Sequence, residues 1–290
     1  MAHTRDDLRT DLALHLVRLG ASRAGRTVAH SIANDAQRAS VFREHPSLAV
    51  APSLTAATQA PGFYSVEREA VHLCDDAASV ARFGDAMGAA LADEDSRVGI
   101  DAEWPPDFGH GVDNPPALLQ IATATRGVWL IDLQRLIHEN RAFERVSVDV
   151  ISALDIALAS VLHGDARSLT LGFGFATDLD KLRRGCGDML PRAFMHVRGL
   201  IDLRRPVAGC GQGLARELMR HTGLAVDKRM QCSDWAKRPM SAAMVRYAAA
   251  DAACLLPLHD AMCAALPSNG AEARAAAELA PKTLHATPLS

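Results

Sequence analysis

The 290-residue sequence has six cysteines, Cys74, Cys186, Cys210, Cys232, Cys254 and Cys263, but no CxxC pair and no cysteine at metal-type spacing from a histidine. That excludes a zinc site legible in sequence and any disulfide framework, and it implies reduced, mostly structural thiols in an intracellular protein. Long apolar runs are also missing. None approaches the ~20 residues that a membrane span needs, so a soluble protein without a membrane partner is expected. The N-terminus lacks the compact apolar core of a secretory signal. Arg18, Arg23, Arg26, Arg38 and Arg43 give residues 12–43 a transit-peptide flavour, which Asp6, Asp7 and Asp11 just ahead of them argue against. Cytoplasm or nucleus is the expected location, with organelle import as the alternative. A strong charge imbalance is absent too: the net charge of −3 excludes a uniformly basic nucleic-acid coat.

The charge that is present is unevenly spread. Between Lys181 and Arg238 stand 13 Lys/Arg and 5 Asp/Glu, leaving the rest of the chain at about −11. Such a block can hold a polyanion next to an acidic region, or it can be an ordinary solvated surface. The apolar share of 49% and charged share of 22% are those of a globular domain.

Three regions are expected. Residues 1–62 form an extension, with an amphipathic helical stretch over 8–35 and a Pro/Ala/Thr-rich connector over 49–62. Residues 63–266 form the folded domain, and 267–290 a loose tail. Within the domain, AVHLCD (70–75) reads as a strand and AASVARFGDAMGAALAD (77–93) as a helix. VGIDAEW, ALLQIATA and GVWLIDL read as three strands in a meander, VDVISALDIALASVL as a helix, and SLTLGFGF as a strand. TDLDKLRRG opens a helix and GLARELMRHTG is a short helix closed by Gly223. The last strong element, residues 241–266, is a buried Ala/Leu/Met helix that Pro257 kinks or bounds. The pattern predicts an α/β fold with a mixed sheet.

Three local patterns carry chemistry. Asp101 and Glu103 lie two apart on a strand, so both carboxylates point to one face. Two like charges on a core strand are costly unless a cation sits between them. Tyr247 and Asp251 are spaced i, i+4 on a helix whose neighbours are Ala, Cys, Leu and Met, and share one face. Asp178 follows a glycine-bearing strand where a helix begins, as a functional carboxylate or a helix N-cap. Four carboxylates and a tyrosine suit hard, oxygen-seeking Mg²⁺ or Mn²⁺, and two such ions ~3.5–4 Å apart serve in-line phosphoryl displacement.

DAE on a strand, GFGFATD at a strand-helix turn and YAAAD on a late helix resemble the three motifs of the DEDDy 3'-5' exonucleases of the ribonuclease H-like superfamily. The stretch GLARELMRHTGLAVDKRMQCSDWAKRPMS is similar to segments of mut-7/Nibbler and Werner-type exonuclease domains, and the resemblance covers about residues 68–266. It implies a DnaQ-like fold, a ribonuclease H-like mixed sheet flanked by helices. It also implies a metal-dependent exonuclease that releases nucleoside 5'-monophosphates from single-stranded or frayed RNA or DNA with a free 3' end. Asp101, Glu103, Asp178 and Asp251 would hold the two divalent ions, Mg²⁺ or Mn²⁺, and Tyr247 would orient the attacking water. Asp180 is the runner-up for the third acid; the offset from GFGF favours Asp178. Trp104 would wedge the terminal base or pack under the sheet, and Gln120 would contact the terminal nucleotide. Lys228, Arg229, Trp235, Lys237 and Arg238 would guide the strand, with packing the alternative, for Trp235 above all. No ribonuclease D-type accessory region follows in this sequence, so substrate choice is expected from the domain, from residues 1–62 or from a protein partner recruited by them. A catalytically silent nucleic-acid-binding or scaffold protein with the same fold is the alternative; the presence of all four carboxylates and the tyrosine speaks against it.

Overall fold

The computed structural model describes residues 29, 35–45, 63–107, 113–163, 169–204, 213–265 and 282–285. The helical stretch expected over 8–35 and the connector over 49–62 fall almost wholly outside the described residues. Helix α1, Asp35–Glu44, begins at the last residue of that stretch.

Seven strands form one sheet in the order β1-β4-β3-β2-β5-β6-β7. They are β1 Val71–Cys74, β2 Val98–Glu103, β3 Leu118–Thr123, β4 Val128–Ile131, β5 Thr170–Gly172, β6 His196–Asp202 and β7 Lys282–His285. Strands β2, β3 and β4 make the expected antiparallel meander, β1 adds parallel to β4, β5 and β6 add parallel on the other side of β2, and β7 is antiparallel at the edge. Mixed α/β architecture is thus as the sequence predicts, and β2 lies at its centre.

Helices α2 (Ala77–Ala92) and α3 (Val148–Leu162) pack together on one face. Asp76 caps α2: the backbone N–H of Ser79 donates to its carboxylate at 2.7 Å, and the Ser79 hydroxyl accepts from the Asp76 N–H at 2.9 Å. Val80, Phe83 and Met87 of α2 and Leu154, Leu158 and Val161 of α3 bury against Ile100, Leu119, Ile121 and Ile131 of the sheet. Burial of this kind contributes about 25 cal/mol per Å² of apolar surface and is what fixes the strand register.

The opposite face is covered by α6 (Ala242–Ala253) and α7 (Leu255–Ala264). The single late helix expected over 241–266 breaks at Cys254 between them. Pro257 has no N–H to give the Ala253 carbonyl, so the break falls where the missing bond would have been; Pro257 then sits in the first turn of α7, where a donor is not needed. Alanines let α6 lie close to β2. A Cβ on Gly99 would stand 2.2 Å from the Ala252 carbonyl oxygen, so only glycine permits this approach.

Helices α4 (Ala176–Cys186) and α5 (Leu214–Thr222) are the other helices of nine or more residues described in the domain. Gly223, at φ +73°, closes α5 as expected, its N–H donating to the Met219 carbonyl at 2.9 Å. Two expectations are corrected. The strand read over SLTLGFGF ends at Gly172, because the chain turns back tightly there: Gly174 adopts φ +72°, and a Cβ on Gly172 would meet the Phe175 Cβ at 2.6 Å. The tail expected to be loose includes β7, whose Leu284 and His285 pair with Val197 and His196. The free edge of β6 offers an unpaired row of backbone donors and acceptors, a pull that composition does not register. Among the described residues, no helix is long and apolar enough to cross a membrane.

Candidate active site

Alternation along β2 sends Val98, Ile100 and Ala102 into the core beneath α2 and α3, leaving Gly99, Asp101 and Glu103 on the face covered by α6. The i, i+4 spacing of α6 aims Tyr247 and Asp251 at the same place. Carboxylate oxygens of Asp101, Glu103 and Asp251 come within 4.8 Å of one another, and Tyr247 lines the same cleft beside Asp251. All five candidate residues, Asp101, Glu103, Asp178, Tyr247 and Asp251, line one cleft of about 490 Å³.

Asp178 stands in the first turn of α4, one step outside the triad. It is not the N-cap: α4 begins after Phe175, and no side chain caps it. Asp180, the runner-up, is exposed, pairs with Arg183 at 3.2 Å and does not line the cleft.

The electrostatics are those of acids brought together away from water. Burial, followed by the charges of Asp251 and Asp178, holds the Asp101 carboxyl well above the usual carboxylate range. Glu103 is raised by burial and then by Asp101, and Asp178 by burial and Asp202. Asp251 is raised by burial, against the opposing effects of the neighbouring Tyr247 hydroxyl and the Lys228 charge. Burial and the neighbouring Asp251 and Glu103 keep the Tyr247 phenol neutral. Burial and mutual repulsion thus favour the protonated forms of these carboxyls, and their all-oxygen donor set fits Mg²⁺ or Mn²⁺.

The residues expected to touch substrate divide into two groups. Trp104 and Lys228 line the cleft. Gln120, Trp235 and Arg238 do not. Gln120 pairs with Asp101 across β2 and β3, but its side chain is wholly buried and neither amide atom has a hydrogen-bond partner. Strand β3 is sandwiched between helices there, so the amide stops short of the cleft surface. Trp235 is 0% exposed, with its ring 5.9 Å from that of Tyr247, and therefore braces the tyrosine. Arg238 is spent on Asp132, at 2.6 and 2.7 Å, and on the Ala117 and Trp235 carbonyls. Arg229 is exposed, outside the cleft and paired with Asp227; Lys237 is exposed beside the same segment. Several cleft residues were not anticipated: Phe173, Arg204, Leu214 and Cys232. Arg204 and Cys232 carried no periodicity to single them out; Phe173 lies inside the GFGF segment and only the tight turn at Gly174 shows which way it faces.

Comparisons with known proteins agree with this geometry. Residues 85–267 match a family model described as 3'-5' exonuclease. The human exonuclease mut-7 homolog is 32% identical over 186 residues, which cover 57% of this chain and 20% of that protein. The mouse exonuclease 3'-5' domain-containing protein 2 is 30% identical over 164 residues, 53% of this chain and 22% of that protein. The chain thus spans only about a fifth of the length of these relatives. Among solved structures, the Aedes aegypti Nibbler EXO domain superposes with a TM-score of 0.51 at 26% identity, covering 68% of this chain and 88% of that one. A buried acidic cluster at the centre of an exonuclease-type sheet, inside a stretch matched by that family model, has one consequence: the chain belongs to the 3'-5' exonuclease family.

Proposed function

We propose that the chain is an active DEDDy-class 3'-5' exonuclease, which hydrolyses the terminal phosphodiester bond of single-stranded or frayed RNA or DNA and releases nucleoside 5'-monophosphates. The observation that carries this reading is the convergence of Asp101, Glu103 and Asp251 within 4.8 Å, with Asp178 and Tyr247 lining the same cleft. Residues 63–266 would be the catalytic domain, 1–62 an extension able to recruit a protein partner, and cytoplasm or nucleus the location.

Two divalent ions held by Asp101, Glu103, Asp178 and Asp251 would supply charge neutralisation at the phosphate and a lowered pKa for water. The chain's own contribution is positional. Tyr247, kept neutral by its surroundings and braced by Trp235, retains a hydroxyl hydrogen with which to orient the attacking water. Lys228 places a positive charge at the cleft next to Asp251, where a phosphate of the strand would approach. Trp104 offers an aromatic surface for the terminal base, and stacking of that kind tolerates any base.

The test is degradation of 3'- and 5'-labelled RNA and DNA oligonucleotides in Mg²⁺, Mn²⁺ or EDTA, with Asp101→Ala and Asp178→Ala in parallel. Stepwise shortening from the 3' end that requires the cation and both aspartates is expected. Variants that trim as fast as the parent place the site elsewhere. Oligonucleotide binding without trimming in any cation makes the chain a silent binding protein.

A further inference from the structure

The most thoroughly satisfied buried cation next to the cleft is one that the proposed chemistry does not use. Lys181 lies on α4, three residues beyond Asp178, with its side chain only 8% exposed. A buried ammonium is costly unless its donors are met. Here all three are: Asp107 Oδ2 accepts at 3.1 Å, Asp113 Oδ1 at 2.5 Å and the Asn114 carbonyl at 2.9 Å. These acceptors belong to the chain leaving β2, and they are tied to one another, the Asn114 N–H donating to Asp107 Oδ1 at 2.8 Å and its side-chain amide to the Pro106 carbonyl at 3.1 Å. The same ammonium stands 5.0 Å from the centroid of the Trp104 ring, at the distance of a cation–π contact. Trp104 follows Glu103 directly and forms part of the cleft wall.

One helix thus carries both the outlying acid of the site and the cation that anchors the segment after β2. We propose that Lys181 is a positioning residue: it fixes Trp104 and the Asp107 and Asp113 ends of the segment to α4, so that the wall receiving the terminal nucleotide is held in register with Asp178. This rests on the exonuclease reading of the cleft. Lys181 does not touch the reacting atoms. Its effect is therefore expected on substrate binding more than on turnover.

Two readouts test it in the full chain. Trp129 and Trp235 are 5% and 0% exposed, so acrylamide quenching of tryptophan fluorescence reports chiefly on Trp104, the third of the three tryptophans. Lys181→Met is expected to raise the quenching constant and to raise KM for a short single-stranded oligonucleotide by about three- to tenfold, with kcat within about twofold. Lys181→Arg, which keeps the charge over the ring, should recover part of both. In the Trp104→Leu background, Lys181→Met should add little further to KM, because the two act as a unit. Should Lys181→Met not fold, Asp107→Ala with Asp113→Ala removes both side-chain acceptors from the more exposed side, and the same rise in quenching and KM is expected. Folded variants with parental quenching and parental KM overturn the proposal, as does a loss of thermal stability with neither readout moved. A parent chain that trims no oligonucleotide in any cation overturns the reading on which the proposal rests; quenching then still shows whether Lys181 holds Trp104.

Discussion

Removing one charge from the triad should separate the cost of the site from its use. With carboxylate oxygens of Asp101, Glu103 and Asp251 within 4.8 Å, two full negative charges at that spacing repel by about 3.5 kcal/mol at an effective dielectric constant near 20. Without a cation, burial and the neighbouring Asp251 and Asp178 charges raise the Asp101 carboxyl and so favour its protonated form. A divalent cation relieves the repulsion once the protons leave. At a hundredfold excess over its dissociation constant it stabilises the fold by about 2.7 kcal/mol. In a domain of this size that is about 5–10 °C in Tm. Asp101→Asn is expected to melt at or above the parent in EDTA at pH 8, since it removes the repulsion, yet to lose most of the increment from Mn²⁺ or Mg²⁺. Thermal melts with and without cation measure both effects. A pH indicator in weak buffer should show protons released when Mn²⁺ is added to the parent. A parent whose Tm ignores both cations, or an Asp101→Asn variant with the parental increment, would refute the assignment of these acids to a cation.

Further outcomes follow from the same geometry. Tyr247→Phe should lower kcat by roughly a hundredfold while keeping the cation-induced rise in Tm, because the proposed role of the phenol is to orient water and not to bind an ion; equal loss of both would make the tyrosine structural only. Arg238→Ala leaves Asp132, 1% exposed, without its ionic partner and with only the Arg135 N–H at its carboxylate, and should cost about 3–5 kcal/mol in urea unfolding; a stable variant with weakened oligonucleotide binding would return Arg238 to the substrate path. His259, buried beside Arg97, is pushed down to about 3, burial being the main cause and the arginine charge the second. Its folded pKa lies below its unfolded one near 6.5, so the unfolded state binds the proton first. Stability should fall as pH drops below about 6.5, by at most ~1.4 kcal/mol per unit from this group. Urea melts of the parent and His259→Gln between pH 7 and 5 check the slope, which should be shallower in the variant; equal slopes would acquit the histidine.

What the sequence makes legible here is what depends on short-range period. Asp101 and Glu103 share a face because strands repeat every two residues, and Tyr247 and Asp251 because helices repeat near four; those rules hold whatever surrounds them. Helix α3 matches its periodic stretch end to end. The candidate strand guides fared differently because their fate depends on distant partners. Arg238 is removed from the cleft by Asp132, which is 106 residues away, and Trp235 by the ring of Tyr247. Gln120 has the register of a site residue and the burial of a core residue, and only the packing of α6 decides between them. Lys181 is one cation among many in a basic block, and only its contacts with Asp107, Asp113 and Asn114, about 70 residues away, single it out.

The alanines of α6 connect the fold to the chemistry. On a helix that needs only to be buried, leucine would cover more apolar area and contribute more to stability. Ala248, Ala249, Ala252 and Ala253 forgo that area and allow the backbone to approach β2, to the point that Gly99 tolerates no Cβ beneath Ala252. The short distance is what the triad requires. A wider spacing would lower the repulsion among Asp101, Glu103 and Asp251 and leave the fold more stable, but the three carboxylates would no longer converge on one point. Close packing of a weakly apolar helix therefore brings together a set of acids whose burial and mutual repulsion a cation would relieve.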